Sequence, residues 1–524
     1  MVTKRRARRR LWWLLGTVAV LVAAVGLGIV GSGDPVGDRL DRGWQPAVAA
    51  EVGDEIVVAT EASAPALANR TARRLLASAP VAVVTPAGAT AGVAEAVAAA
   101  EDLRSPLLFA PASSTADEAL DLATAIEDLG TRFLVPIGAP DLPAAVTEAV
   151  QIVRPSGDRY ASFVDSASET SAADAARGGG AVVLVRPDDP AVELAGPAIR
   201  AAGHDVVRLQ ADDPRADRRA AQRLRRLDRP VTALVGSTGA WSDVDTDALR
   251  WQAGVARAGD QLPGGGQLMF PFRILVALYG VPGSGALGVL GEQDVEASIA
   301  RAEALAAAHQ RFSDVPVVPA FELIATVATG GPGERGDYSR RVARGLIEEW
   351  VEAAGEAGVY VVLDLQPGRT SFLAQARELR DVLAQPHVGL ALDAEWRLRP
   401  DEEHLDQIGS VSVEEVNAVG HWLADLTRNE RLPQKLLLLH QFNLDMIRGR
   451  SRLDTTRTEI TIAIQMDGQG TQEAKLETWN QLRTVDPPTG VWWGWKNFYD
   501  EDPVVRNPRD TLGLSPVPVF VSYQ

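Results

Sequence analysis

The stretch HVGLALDAEWRL, His387–Leu398, joins an apolar segment directly to two acids and a tryptophan. Its VGLALD portion is continuously apolar up to Asp393, which predicts a buried β-strand. Glu395 and Trp396 follow at once. Because an unpaired buried carboxylate costs several kcal/mol, acids at the tip of such a strand indicate either a functional site or the start of a solvated loop.

Seven further apolar segments occur around this one in the C-terminal half, and helical patterns lie between most of them. The eight candidate strands are residues 273–279, 315–322, 359–364, 388–393, 435–440, 460–467, 490–495 and 517–523. Eight strands with intervening helices over about 255 residues are typical of a (β/α)8 barrel, a TIM-like fold. A doubly wound open sheet is the alternative, because no helix follows the eighth segment.

Five of these candidate strands end in titratable residues, which are Glu322, Asp364, Asp393 with Glu395, His440 and Asp467. Barrel enzymes carry their chemistry at the C-terminal ends of the strands, which meet at one mouth. Although strands also end in polar residues simply where loops begin, five such ends favour a site. One histidine with scattered carboxylates is a poor metal signature, so the sequence predicts no metal and no other cofactor.

Side-chain alternation adds detail to this site. Gly389 and Ala391 share a face with Asp393 and Glu395, and small residues suit the inside of a barrel. If the strand continues, the two carboxylates lie roughly 6–7 Å apart and both point toward the mouth.

The seventh segment, GVWWGWKNFYD (Gly490–Asp500), is rich in aromatic residues. Alternation predicts Trp493 and Trp495 on one face and Trp492 on the other, against the helices. Aromatic faces stack on sugar rings, so Trp495 at the tip and Lys496 beside it are predicted to bind substrate, and Trp492 to belong to the core.

Composition limits the function. The formal charge is −17, although residues 1–10 carry six basic residues and no acid. An acidic body does not suit nucleic-acid binding. The chain has no cysteine, which excludes disulfides, thiol catalysis and cysteine-ligated zinc.

The N-terminus resembles a membrane anchor. Residues 11–31 contain no charge and are long enough to cross a bilayer. Basic residues 1–10 before this segment predict a cytoplasmic N-terminus and an extracytoplasmic body, joined by a polar stalk over residues 32–52. A cleaved signal peptide is the alternative, with Ala47–Ala49 as the first suitable cleavage site.

Residues 53–256 alternate short apolar runs with Ala-rich helical stretches, which predicts an α/β domain with parallel strands. VAVVTP at 81–86 recurs as VVLVRP at 182–187, and FLVPIGAP at 133–140 recurs as TALVGSTG at 232–239. These offsets indicate an internal repeat of about 100 residues. A Gly-rich linker, residues 257–268, separates this domain from the barrel, residues 269–524.

The N-terminal half resembles the cell-wall-binding repeats of Gram-positive surface proteins. RPSGDRYASF (Arg154–Phe163) is similar to their R-x-x-G-x-D-R-Y element, and SPLLFAPASS followed by FLVPIGAP is similar to their strand-to-glycine ending. The resemblance implies association with cell-wall polysaccharide or peptidoglycan. A generic α/β domain without wall affinity is the alternative.

The D-x-E of Asp393 and Glu395 resembles the motif of family 18 chitinases and family 25 lysozymes. That resemblance implies that Glu395 is a general acid and that Asp393 orients an acetamido group or stabilises positive charge. The first strand lacks the Asp of the lysozymes, and only the last two acids of the chitinase D-x-x-D-x-D-x-E series are present.

Together these features resemble an anchored surface protein of a Gram-positive, actinobacterial cell. The first hypothesis is a glycoside hydrolase-like enzyme that acts on envelope glycan, with Glu395 and Asp393 catalytic and the other strand-end residues binding the sugar. A non-catalytic polysaccharide-binding protein is the second. A metal-dependent deacetylase or esterase that uses His440 is the third.

Overall fold

The computed structural model describes residues 43–51, 53, 55–88, 92–111, 116–170 and 180–524. The predicted basic segment, the predicted membrane anchor and residues 32–42 of the predicted stalk lie outside these ranges. Across the described ranges, no helix combines the length and the apolar character needed to cross a membrane.

The N-terminal part is an α/β domain in which strands and helices alternate. Its strands are β1 (Val48–Ala49), β2 (Val57–Glu61), β3 (Leu76–Ser78), β4 (Val81–Pro86), β5 (Leu107–Ala110), β6 (Phe133–Pro136), β7 (Gln151–Ile152), β8 (Val182–Val185), β9 (Asp205–Arg208) and β10 (Val231–Ser237). Its helices are α1 (Ala64–Leu75), α2 (Val93–Asp102), α3 (Ala116–Asp128), α4 (Ala144–Ala149), α5 (Asp158–Glu169), α6 (Ala191–Ala201), α7 (Arg218–Leu227) and α8 (Thr246–Ala258).

Two four-stranded parallel sheets form this domain, with strand orders β5-β4-β6-β7 and β9-β8-β10-β2. The orders correspond, because β4, β5 and β6 recur as β8, β9 and β10 about 100 residues later. The outer strands are exchanged: β2 precedes the first set but pairs with β10 of the second, and β7 precedes the second set but pairs with β6 of the first. The internal repeat of the sequence therefore has a structural counterpart.

The C-terminal part is built around a second set of parallel strands. Its strands are β11 (Ile274–Gly280), β12 (Val317–Ala328), β13 (Ser339–Arg341), β14 (Tyr360–Leu365), β15 (Val388–Asp393), β16 (Val411–Ser412), β17 (Lys435–Gln441), β18 (Ile447–Arg448), β19 (Ile460–Met466), β20 (Trp492–Asn497) and β21 (Phe520–Tyr523). Its α-helices are α9 (Val295–Gln310), α10 (Arg344–Ala357), α11 (Phe372–Glu378), α12 (Arg380–Leu383), α13 (Val413–Asn429), α14 (Gln472–Thr484) and α15 (Pro508–Leu512).

Eight of these strands close into a parallel barrel in the order β11, β12, β14, β15, β17, β19, β20 and β21. Closure follows from the pairing of β21 with β20 on one side and with β11 on the other. All eight predicted strands are therefore confirmed, and the open-sheet alternative is wrong. The last strand needs no following helix, because neighbouring strands satisfy its hydrogen bonds on both sides.

A packed apolar layer fills the barrel below its mouth, as small and large side chains interlock. Tyr360 lies inside the barrel, and its hydroxyl accepts a hydrogen bond from the Leu436 amide at 3.2 Å. A Cβ atom at position 389 would lie 2.8 Å from that hydroxyl oxygen. Because glycine has no Cβ atom, Gly389 leaves the space that the Tyr360 ring occupies inside the barrel. The sequence predicted a small residue at this inward-facing position.

The two parts of the chain meet at the N-terminal end of the barrel. The Trp251 indole, on α8, donates a hydrogen bond to the Arg428 carbonyl at 3.0 Å. The guanidinium of Arg215 stacks on the same indole, with its carbon 4.6 Å from the ring centroid, and donates to the Thr458 carbonyl at 3.0 Å. These contacts anchor the α/β domain against the outside of the barrel.

Lys435, the first residue of β17, is fully buried. Its ammonium donates hydrogen bonds to the carbonyls of Gln385, at 2.7 Å, and Val388, at 2.8 Å. No carboxylate is paired with it among the described residues, and burial lowers the pKa of Lys435 from 10.5 to about 7.

We expect Lys435→Met to remove a pH dependence of stability. Between pH 7 and 10.5 the unfolded chain binds a proton at Lys435 that the folded chain does not, so the free energy of unfolding of the native protein rises with pH by up to about 1.4 kcal/mol per unit. Urea unfolding at several pH values from 7 to 9 measures this slope. Arg431→Met, which removes an exposed cation nearby, should keep the slope; an unchanged slope in Lys435→Met would contradict the assignment.

Candidate functional site

Six charged or titratable side chains meet at the C-terminal ends of the barrel strands. They come from six different strands or the residue that follows one, and each is at most 8% exposed: Glu322, Asp364, Asp393, His440, Asp467 and Lys496. The convergence predicted from the strand tips is thus observed. Parallel strands produce it because their C-terminal ends share one edge of the barrel.

His440 is at the centre of this cluster. Its Nε2 lies 2.6 Å from Oε1 of Glu322, and its Nδ1 lies 3.1 Å from Oδ2 of Asp467 and 3.6 Å from Oδ2 of Asp393. Burial alone would lower the pKa of His440. The carboxylates of Glu322 and Asp467 outweigh burial and hold that pKa well above its ordinary value.

Lys496 provides the second cation. Its Nζ lies 3.0 Å from Oδ1 of Asp467 and 3.6 Å from the centroid of the Tyr279 ring. Burial raises the pKa of Asp467, but Lys496 and His440 reverse that effect and lower it below the usual value. In turn, Asp467 overcomes the effect of burial and raises the pKa of Lys496.

Tyr279, at the end of β11, is a site residue that strand-tip inspection did not identify. Its hydroxyl donates to Oδ2 of Asp364 at 3.1 Å and accepts from the Gln366 amide at 3.2 Å. Tyr279 follows Leu275 and Ala277 on the inner face of its strand. Side chains of a strand alternate between its two faces, so every second residue of β11 points inward. This alternation is the sequence signal that could have identified Tyr279 as a site residue.

Glu395 differs from the prediction in its backbone. The strand ends at Asp393, and Ala394–Trp396 form a 3-10 turn, so the two carboxylates do not continue one strand face. Glu395 is half-buried, and its carboxyl makes no hydrogen bond within the described part of the chain. Burial, together with Asp393 and Asp467, raises the pKa of Glu395 to about 9.

Trp495 does not have the geometry expected of a sugar platform. It is fully buried, packs on Trp479 of α14 with a centroid distance of 5.8 Å, and donates from its indole to Asn497. The predicted facing of this strand is wrong: Trp492 and Lys496 face the barrel interior, and Trp495 faces the helices. Alternation prevents Lys496 and its neighbour Trp495 from both facing the mouth.

The buried cluster contains more acceptors than donors. Four oxygens are buried and have no hydrogen-bond partner among the described residues: Oε2 of Glu322, Oδ1 of Asp364, Oδ1 of Asp393 and the amide oxygen of Gln465. Ligand atoms of Asp364, Asp393 and His440 all lie within 4.8 Å of one another, a spacing that could hold a metal ion. The unpartnered oxygens indicate that a proton, a water molecule or a cation completes the site.

Comparisons of this chain with protein-family models, with curated proteins and with solved structures return no match.

We expect Lys496→Met to destabilise the fold by about 3 kcal/mol, because it removes one of the two cations that neutralise the buried carboxylate of Asp467. Urea unfolding provides the measurement. The double variant Lys496→Met/Asp467→Asn should recover part of this loss, since no unpaired charge remains. A double variant no more stable than Lys496→Met alone would contradict this account of the pair.

Proposed function

We propose that the barrel mouth hydrolyses glycosidic bonds of a cell-envelope glycan, with Glu395 as the proton donor. The observation that carries this proposal is the position of Glu395. Its half-buried carboxyl has no hydrogen-bond partner among the described residues and follows the fully buried Asp393 by two residues at the rim of the charged cluster. A ligand at the mouth can reach this carboxyl, whereas the residues below it are shielded from water.

Acetal hydrolysis needs an acid that is protonated at neutral pH, and the raised pKa of Glu395 agrees with that role. Glu395 would protonate the leaving oxygen as the bond from that oxygen to the anomeric carbon breaks. Asp393 would stabilise the positive charge that develops on the sugar ring. A water molecule would then add to the anomeric carbon, and its released proton would return to a carboxylate.

The buried residues would support this chemistry indirectly. His440 lies between Glu322, Asp393 and Asp467, so it limits the position of each carboxylate. Lys496 lies over the Tyr279 ring, and the Tyr279 hydroxyl donates a hydrogen bond to Asp364. Together they would hold Asp393 in a fixed orientation below the sugar.

In this proposal the substrate is encountered outside the membrane. Residues 11–31 would anchor the chain, and the repeat domain would hold it against wall polysaccharide or peptidoglycan. The matching sheet orders of that domain are consistent with tandem repeats of the kind found on Gram-positive surfaces.

A metal-dependent deacetylase or esterase is the second candidate. The observation that favours it is the group of Asp364, Asp393 and His440, whose ligand atoms lie within 4.8 Å of one another. Because Nε2 of His440 bonds to Glu322, Nδ1, which faces Asp393 and Asp467, would bind the metal after losing its proton. A bound divalent cation would supply a nucleophilic water for attack on an ester or amide carbonyl.

Glu395→Gln should abolish glycan hydrolysis, with a loss of about 10²- to 10⁴-fold, because the amide cannot donate the required proton. Reducing ends released from actinobacterial wall glycan by the full-length chain measure this. Asp401→Asn, an exposed acid in the following loop, is the matched control and should retain activity. Equal release by wild type and Glu395→Gln would assign the acid elsewhere, and no release by either would favour the binding protein.

Chelation separates the two enzyme candidates. We expect glycan hydrolysis by the full-length chain to survive dialysis against EDTA, because the proposed acid mechanism requires no metal. Release of acetate from acetylated wall glycan is measured in the same samples. Acetate release that EDTA removes and added zinc restores, without the release of reducing ends, would replace the glycosidase by the metal-dependent candidate.

A further inference from the structure

A pocket lies at the opposite end of the barrel from the mouth, between α7 and the Gly-rich segment Leu262–Leu268. Its volume is about 420 Å³. We call it the seam pocket and define it by six of its lining residues: Arg215, Arg218, Ala221, Gln222, Arg225 and Phe272. Phe272 directly precedes β11, which places the pocket at the N-terminal ends of the strands.

One face of α7 forms a wall of the seam pocket. Arg218, Ala221, Gln222 and Arg225 are spaced i, i+3, i+4 and i+7, so their side chains leave the helix on the same side. The small Ala221 leaves space between the two arginines. The helix therefore presents two guanidinium groups and one amide to a single cavity.

The seam pocket is positively charged although the whole chain is acidic. None of the residues that line it is an Asp or a Glu, and neither Arg218 nor Arg225 makes a hydrogen bond or an ion pair within the described part of the chain. Arg215 is paired with Asp213 at 2.7 Å, so its charge is compensated. Two uncompensated cations thus face the cavity.

A third uncompensated cation, Arg273, lies beneath the Gly-rich wall. Within the described ranges, its buried guanidinium donates only to carbonyl oxygens, those of Pro263, Gly265 and Leu268. Burial lowers the pKa of Arg273 to about 10, and the nearby Arg218 contributes to that decrease. Buried charge that no carboxylate neutralises adds to the attraction of the pocket for an anion.

The remaining lining residues suit a sugar rather than a bare anion. Phe272 lines the rim of the pocket and is 45% exposed, so part of its ring is open to a ligand. Aromatic faces pack on the apolar faces of sugar rings, and the Gln222 amide can hydrogen-bond to hydroxyls. Guanidinium groups bind phosphate and carboxylate in a bidentate manner.

We propose that the seam pocket binds a sugar that carries an anionic group, either a phosphate or a carboxylate. Arg218 and Arg225 would bind the anion, and Phe272 would pack against the ring. This site is separate from the barrel mouth and does not depend on the hydrolase proposal. It would let the chain hold an acidic glycan while the mouth remains free.

Isothermal titration of the full-length chain in detergent micelles tests this proposal. The probes are glucose 6-phosphate and glucuronate, with glucose and inorganic phosphate for comparison. We expect at least one acidic sugar to bind, and Arg218→Gln/Arg225→Gln to weaken that binding by roughly 100-fold, because two charge-assisted hydrogen-bonding groups are lost. The matched control is Arg219→Gln/Arg226→Gln, which removes the same charge from the same helix outside the pocket.

Selective loss in the first double variant, with near wild-type affinity in the control, would support the seam pocket. Equal losses in both would overturn it, since they would indicate diffuse attraction to a basic helix. Lack of binding of both acidic sugars at millimolar concentration would also overturn it. Two results together would overturn the contact with the sugar ring: phosphate binds as tightly as glucose 6-phosphate, and Phe272→Ser leaves the affinity for glucose 6-phosphate unchanged. Glu395→Gln should bind normally, which keeps this test separate from that of hydrolysis.

Discussion

The need to neutralise buried carboxylates around His440 is the constraint on which the C-terminal part depends. Four acids lie within the barrel mouth, each nearly inaccessible to water. Such charges are tolerated only when they are paired, protonated or bound to a cation. His440 and Lys496 provide two cations, and Tyr279 donates to Asp364. Because these partners come from different strands, the site exists only when the barrel is closed.

The positions of the lysines reflect the same need to satisfy buried charges. The chain has four lysines against many arginines, and Lys435, Lys475 and Lys496 are all buried in the barrel. An ammonium is compact and directs three donors from one atom, whereas a guanidinium is planar and larger. Lys435 reaches two carbonyls, and Lys475 pairs with Asp502 in a space closed on all sides. Surface positions, where either cation is tolerated, carry arginine instead.

The two ends of the barrel differ in charge for related reasons. The mouth collects acids because strand tips there project them toward one axis. The opposite end meets α7, whose face carries Arg218 and Arg225, and the Gly-rich segment adds backbone without side chains. An excess of acceptors at one end and of donors at the other makes each end selective for ligands of different charge. The net negative charge of the chain argues against nucleic-acid binding, but it does not describe local patches of charge such as these.

The sequence by itself determined the eight strands, the repeat in the N-terminal domain and the titratable strand tips, because hydrophobic runs and their period are local properties. Only the tertiary structure decided which tips touch. It turned Trp495 toward α14, ended the strand before Glu395 and brought Tyr279 and Gln366 to Asp364. The physical reason is closure of the barrel. Strand tilt and register bring together residues that are far apart in sequence, such as Glu322 and His440, whose side-chain atoms lie 2.6 Å apart.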